Sequence, residues 1–148
     1  MNRESAIQIT YLLLRIAAGL MFMQAGGMKV LGWFGGVPAA VGGPPPEWSQ
    51  AWVGGWLEVV GGALIILGLF TRPIAFILAG EMAVAYWQMH YGGGGNPLDK
   101  PWTWPAQNQG VAAALYCFVF LFMSAFGGGR TSLDWMLWGK KNAPSTEP

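Results

Sequence analysis

The chain has 148 residues, 53% hydrophobic and 10% charged, with 23 glycines, nine tryptophans and a net charge of +1. About a quarter of the residues in a soluble domain are charged, so this is not a soluble composition, and without a Lys/Arg-rich tract nucleic acid is not an expected partner. A single cysteine, Cys117, and a single histidine, His90, exclude an intrachain disulfide, a four-cysteine zinc or iron–sulfur site and bis-histidine haem ligation; no haem or metal is expected.

Four apolar stretches approach the roughly 20 helical residues that cross about 30 Å of hydrocarbon. The expected fold is all-α, a polytopic membrane protein forming a four-helix transmembrane bundle with two long outward-facing loops. It occupies one domain over 1–139, followed by a disordered tail over 140–148. The first span, about 6–27, follows a short polar tail with Arg3 and Glu4 and lacks a small-residue cleavage pattern, so it is expected to remain as an anchor. Arg15 lies at its centre, sharing a face with Gly19, Phe22 and Gly26. The segment from Met28 to Gln50 carries Lys29, five glycines and three consecutive prolines, which predicts a loop with a short interfacial piece around Val30 to Phe34.

The second span, about 52–70, places Glu58 between two glycine pairs. At about 100° per residue, Gly54, Gly55, Gly61, Gly62 and Ile65 share its face. Small residues let helix backbones approach in lipid. Thr71-Arg72-Pro73 then predicts a tight turn, making spans two and three an antiparallel hairpin. The third span, about 74–91, carries Glu81, Ala85 and Gln88 on one face, with Trp87 and His90 elsewhere around the axis. A Gly/Pro-rich loop with Trp102 and Trp104 precedes the fourth span, about 107–126, whose small face is Gly110, Ala113, Ala114 and Cys117. A break at Gly127-Gly128-Gly129 leads to an amphipathic LDWMLW piece. Arg3, Arg72, Arg130, Lys140 and Lys141 fall on one side, against Lys29 and Lys100 on the other. The positive-inside rule therefore puts both termini in the cytoplasm.

Counted at 1.5 Å per residue, Arg15 and Glu81 each lie about 12 Å from the inner ends of their helices, and Glu58 about 18 Å. An ionised residue at mid-bilayer costs about 2.5–3.5 kcal/mol on insertion scales, so the three are expected to pair inside the bundle. Two readings of the cluster stand. It is an interhelical clamp holding three spans in register, or a site where one arginine facing two carboxylates leaves a negative charge for a shared proton or a polar head group. Nearer the outer surface, Gln24, Lys29, Gln88, His90, Gln107, Asn108 and Gln109 come to similar depth, ringed by Trp87, Trp102 and Trp104. They form either an ordinary interfacial belt or a mouth for a polar substrate or quinone head group, in which His90 relays protons. Cys117 reads as a packing residue.

Three segments resemble the DoxX family of small bacterial membrane proteins: LLLRIAAGLMFMQAGGMKVLGWF (Leu12 to Phe34), GWLEVVGGALIILGLFTRPIAFILAGEMAVAY (Gly55 to Tyr86) and NQGVAAALYCFVFLFMSAFGGGRTSLD (Asn108 to Asp134). The specific part is the Arg, Gly, Lys pattern of the first span and E-x-x-G-G with T-R-P in the hairpin. The resemblance implies a four-helix membrane bundle in the bacterial inner membrane. It also implies a link to the related DoxD subunit of thiosulfate:quinone oxidoreductase, hence quinone-coupled sulfur or thiol redox chemistry. On that reading Arg15, Glu58 and Glu81 handle charge and protons, and Lys29, Trp87, Gln88, His90 and Asn108 bind the quinone or substrate. Quinone is the expected cofactor, and a redox partner subunit, a homo-oligomeric copy and the lipid bilayer are the expected partners. The alternative is a non-catalytic scaffold or small-solute carrier.

Overall fold

The computed structural model describes residues 2–91, 105–106 and 108–139. Trp102, Trp104, Gln107, Lys100 and the 140–148 tail lie outside the described residues. Within them the regular structure is entirely helical: α1 (Arg3–Val30), α2 (Gln50–Leu67), α3 (Thr71–Ala85), α4 (Val111–Phe126) and the short α5 (Leu133–Leu137). A π-helical turn, Tyr86–His90, extends α3 without a break. By length and composition α1 and α2 are able to cross a membrane. The 16 residues of α4 rise about 24 Å.

Local sequence sets the helix ends. Asn2 and Ser49 begin α1 and α2, their side-chain oxygens accepting from the amides of Ser5 (2.8 Å) and Trp52 (3.2 Å). Gly68, at φ +67°, ends α2: its amide donates to Ile65 O (3.1 Å) and that of Leu69 to Leu64 O (3.0 Å), closing a Schellman turn. The hairpin connection is therefore 68–70. Thr71-Arg72-Pro73, read from sequence as the turn itself, forms the first turn of α3. Likewise α1 runs on to Val30, where an interfacial loop was expected, and the loop beyond it contains two 3₁₀ turns, Trp33–Gly35 and Ala39–Val41.

The closest packing is between α1 and α2. A Cβ on Gly19 would lie 2.7 Å from Gly62 O, one on Gly62 would lie 2.7 Å from Gly19 O, and one on Gly26 would lie 2.7 Å from Glu58 Cβ. Backbone meets backbone there, and no side chain larger than hydrogen fits. On α2 the buried residues are Gly55, Glu58, Gly61, Gly62 and Ile65, the predicted face apart from half-buried Gly54. Gly61 turns to α3, where Leu78 Cδ2 is 2.8 Å from a Cβ placed on it. The contact of α1 with α4 is aromatic instead: Phe22 lies edge-on to Phe120 at 4.8 Å and tilted against Tyr116 at 5.4 Å, while Tyr11 packs on Phe126 at 4.4 Å. The small face expected on α4 thus holds at its N-terminal end, through Gly110 and Ala113, and gives way further along to Phe120 and Met123, both fully buried. Cys117 is half-buried against this core.

Candidate functional site

Two buried polar clusters occupy opposite ends of the helices, labelled outer and inner after the sides expected from the sequence. At the outer end, Lys29 in the last turn of α1 reaches Glu58 in the middle of α2. Its Nζ donates to both carboxylate oxygens, at 2.7 Å each. Glu58 is 3% exposed, and its neighbours on the α1 side are the Gly26 backbone and Lys29 itself. From α3, Glu81 brings a second carboxylate to the pair. Its Oε1 would lie 2.8 Å from a Cβ on Gly54, so the absence of a side chain at Gly54 makes room for it. Glu81 is in the field of both Glu58 and Lys29. Its Oε2 is buried with no hydrogen-bond partner among the described residues. Buried polar atoms are nearly always bonded, which makes this oxygen an exception in need of a role.

A polar rim lies above. Gln50 Nε2 donates to Gln88 Oε1 at 2.8 Å, joining the start of α2 to the π-helical turn. His90 Nδ1 lies 3.0 Å from the Asn108 carbonyl, a geometry in which the ring nitrogen donates. Asn108 Oδ1 accepts from Gly110 N at 2.8 Å. Trp87 is exposed and meets Tyr91 edge-on at 4.5 Å. Trp48, just before α2, lies tilted against Trp52 at 5.0 Å, and Trp52 meets Trp56 edge-on at 6.1 Å. Gln24 is exposed on α1, away from this rim.

At the inner end stands Arg15, 1% exposed. The expected pairing with Glu58 and Glu81 does not form. Its Nη1 donates to Gly128 O and its Nη2 to Thr131 O, the latter at 2.8 Å. Tyr11 Oη donates to Gly127 O, and the Ser132 hydroxyl to Gly129 O at 2.6 Å. Asp134 completes this collar. Its carboxylate accepts from the amides of Phe70 (2.7 Å) and Thr71 (2.8 Å), and its own amide donates to Gly68 O (2.9 Å). α5 thereby caps the start of α3, where Phe70 has φ +49° and no side-chain cap of its own.

The structure therefore regroups the sequence candidates. It joins Lys29 to Glu58 with Glu81 beside them, Gln88 to Gln50 and His90 to Asn108, and it sends Arg15 to the opposite end. Sequence reasoning missed Gln50, Tyr11 and Asp134, and read Gly54 only as a packing position on the Glu58 face. The antiparallel glycine register was the available signal for the Lys29 pairing, and the GGGR break followed by Ser-Leu-Asp was the signal for the collar.

The DoxX family profile matches residues 10–91, more than half of the chain. The chain belongs to the DoxX family. An uncharacterized protein of Haemophilus influenzae is 41% identical over 124 residues, covering 82% of this chain and 85% of that protein. The inner membrane protein YphA of Escherichia coli is 33% identical over 138 residues, covering 88% and 91%. No solved structure shows significant similarity. The DoxX match takes in α1 from residue 10 onward, α2, α3 and the π-helical turn, hence Lys29, Glu58 and Glu81 together.

Proposed function

We propose that this chain is the integral membrane subunit of a quinone-linked redox system in the bacterial inner membrane, oxidising thiosulfate or another sulfur or thiol compound through a partner subunit. In this reading α1, α2, α3 with its π-helical extension, and α4 form a four-helix transmembrane bundle. Both termini face the cytoplasm, because Arg3, Arg72 and Arg130 gather at the inner end. The observation that carries the proposal is Glu81 Oε2, a buried carboxylate oxygen without a bonding partner among the described residues, beside an already formed Lys29–Glu58 pair.

Two carboxylates face one cation, so one negative charge in the membrane interior lacks a counter-charge. A proton or a polar head group supplies the balance, and Glu81 is the residue placed to take it. Lys29 holds Glu58 in its charged form by donating to both oxygens. Glu81 carries the exchangeable proton at Oε2, and Gln88 and His90 at the rim orient the polar group and pass protons to the outer surface. A quinone held there supplies two-electron, two-proton acceptor chemistry. Arg15, bound to two carbonyls, acts through the fold by fixing α1 against the 127–132 segment.

The test is Glu81→Gln in protein purified with its native lipids. Glu81→Gln should assemble normally, lose co-purifying quinone and lose thiosulfate- or thiol-dependent quinone reduction. Wild-type activity in Glu81→Gln, or no quinone in the wild type, makes the cluster a packing device and the chain a scaffold.

A further inference from the structure

The inner end also holds an open cleft of about 760 Å³ between the 68–70 turn, the Gly127–Gly129 strap and α5. It is separate from the carboxylate site. Two arginines line it. Arg72 is exposed and has no ion pair or side-chain hydrogen bond among the described residues; its Nε lies 3.1 Å from a Cβ placed on Gly127. Arg130 gives one nitrogen to Glu4 (2.7 Å) and lies 6.0 Å over the Trp135 ring, leaving its other donors to the cleft. Of the two acids present, Glu4 is held by Arg130 and Asp134 has both oxygens bonded to backbone amides. Thr71 Oγ1 lines the cleft fully buried and without a hydrogen-bond partner among the described residues. The remaining wall is aromatic: Phe70, Phe126, Trp135 and Trp138, with Phe70 and Trp138 rings 5.6 Å apart.

We propose that this cleft binds the phosphate diester of an anionic glycerophospholipid drawn from the surrounding leaflet. Arg72 and Arg130 take the phosphate oxygens, Thr71 Oγ1 donates to the head group, and the aromatic wall lies along the start of the acyl chains. The chemistry selects this ligand. Arginine forks match phosphate oxygens, tryptophans favour the head-group level, and basic pockets between membrane helices at the cytoplasmic side take anionic head groups. A free phosphate ester shares the polar half of that recognition but leaves the aromatic wall without a function. The leaflet named depends on the topology proposed above; the site itself does not.

The experiment is native mass spectrometry of the full chain in mild detergent, supplied with phosphatidylglycerol or phosphatidylcholine. The wild type should retain phosphatidylglycerol at least tenfold better. Arg72→Gln, which removes one exposed charge, should cut that preference several-fold, and Arg72→Gln with Arg130→Gln should abolish it while elution and helicity stay unchanged. Inorganic phosphate at millimolar concentration should not displace the lipid. Equal retention of both lipids, an undiminished preference in the double variant, or binding of inorganic phosphate alone with no lipid preference overturns the proposal. Side-specific labelling of Asn2→Cys in a Cys117→Ser background reports topology independently. Outward labelling with lipid preference intact would reverse the leaflet and uphold the site.

Discussion

Arg15 and Glu58 are both almost fully buried, 1% and 3% exposed, yet their charges are satisfied in different ways. Around Arg15, charge faces backbone: guanidinium nitrogens meet two carbonyls, and the Asp134 carboxylate meets two amides. Around Glu58, charge faces charge, and a second carboxylate is left beside a pair that is already closed. A backbone partner cannot change its protonation or leave, so the inner collar is a fixture. A lysine and two glutamates can redistribute protons among themselves, so the outer cluster can respond. The contrast lies in which groups have spare bonding capacity, and burial alone does not reveal it.

That comparison is most exposed to failure at Lys29. Lys29→Met leaves Glu58 buried without its cation, and breaking such a pair costs about 3–5 kcal/mol. The lower part of that range is expected, because the Lys29 side chain is 35% exposed. Reversible unfolding in mixed detergent should show this loss and its substantial recovery in Lys29→Met with Glu58→Gln. Equal losses in both would mean that the charges do not compensate each other. At the inner end, Arg15→Met orphans buried carbonyls at about 1–3 kcal/mol. Limited proteolysis should then cut the 127–139 segment sooner while leaving the outer cluster's activity in proportion to folded protein. Asp134→Ala removes the acceptor for two amides at the start of α3, worth about 1 kcal/mol, read as a lower melting temperature. The smallest effect belongs to Glu4→Gln. Its ion pair with Arg130 is exposed on both sides, contributes less than about 1 kcal/mol and should fade with added salt.

Much of this was legible in the sequence. The glycine face of α2 was readable because a helix has one period, and five small or apolar positions around Glu58 fall on one side of it. The wrong partner for Glu58 came from counting depth from the helix ends, which treats the bilayer as a common ruler. The Gly26–Glu58 contact sets the register directly and puts Glu58 opposite Gly26. From there Lys29 is about 4.5 Å away along the axis and Arg15 about 16 Å, and the lysine arm closes the shorter gap. The role of Asp134 was not legible. Its partners are backbone amides more than 60 residues earlier, and backbone groups carry no residue-specific signal. Nor could periodicity show that Glu81 Oε2 lacks a donor among the described residues, since that follows from how α3 rotates over Gly54.

The Asp134 cap also orders events during synthesis. The α2–α3 hairpin leaves the ribosome more than 60 residues ahead of the carboxylate that binds the amides of Phe70 and Thr71, and α1 emerges still earlier with Arg15 lacking its carbonyl acceptors. Until the 127–134 segment arrives, those amides and that guanidinium must stay near water. That late segment is the one that lets them settle, so a nascent chain stalled before Gly127 should remain open to quality-control proteases.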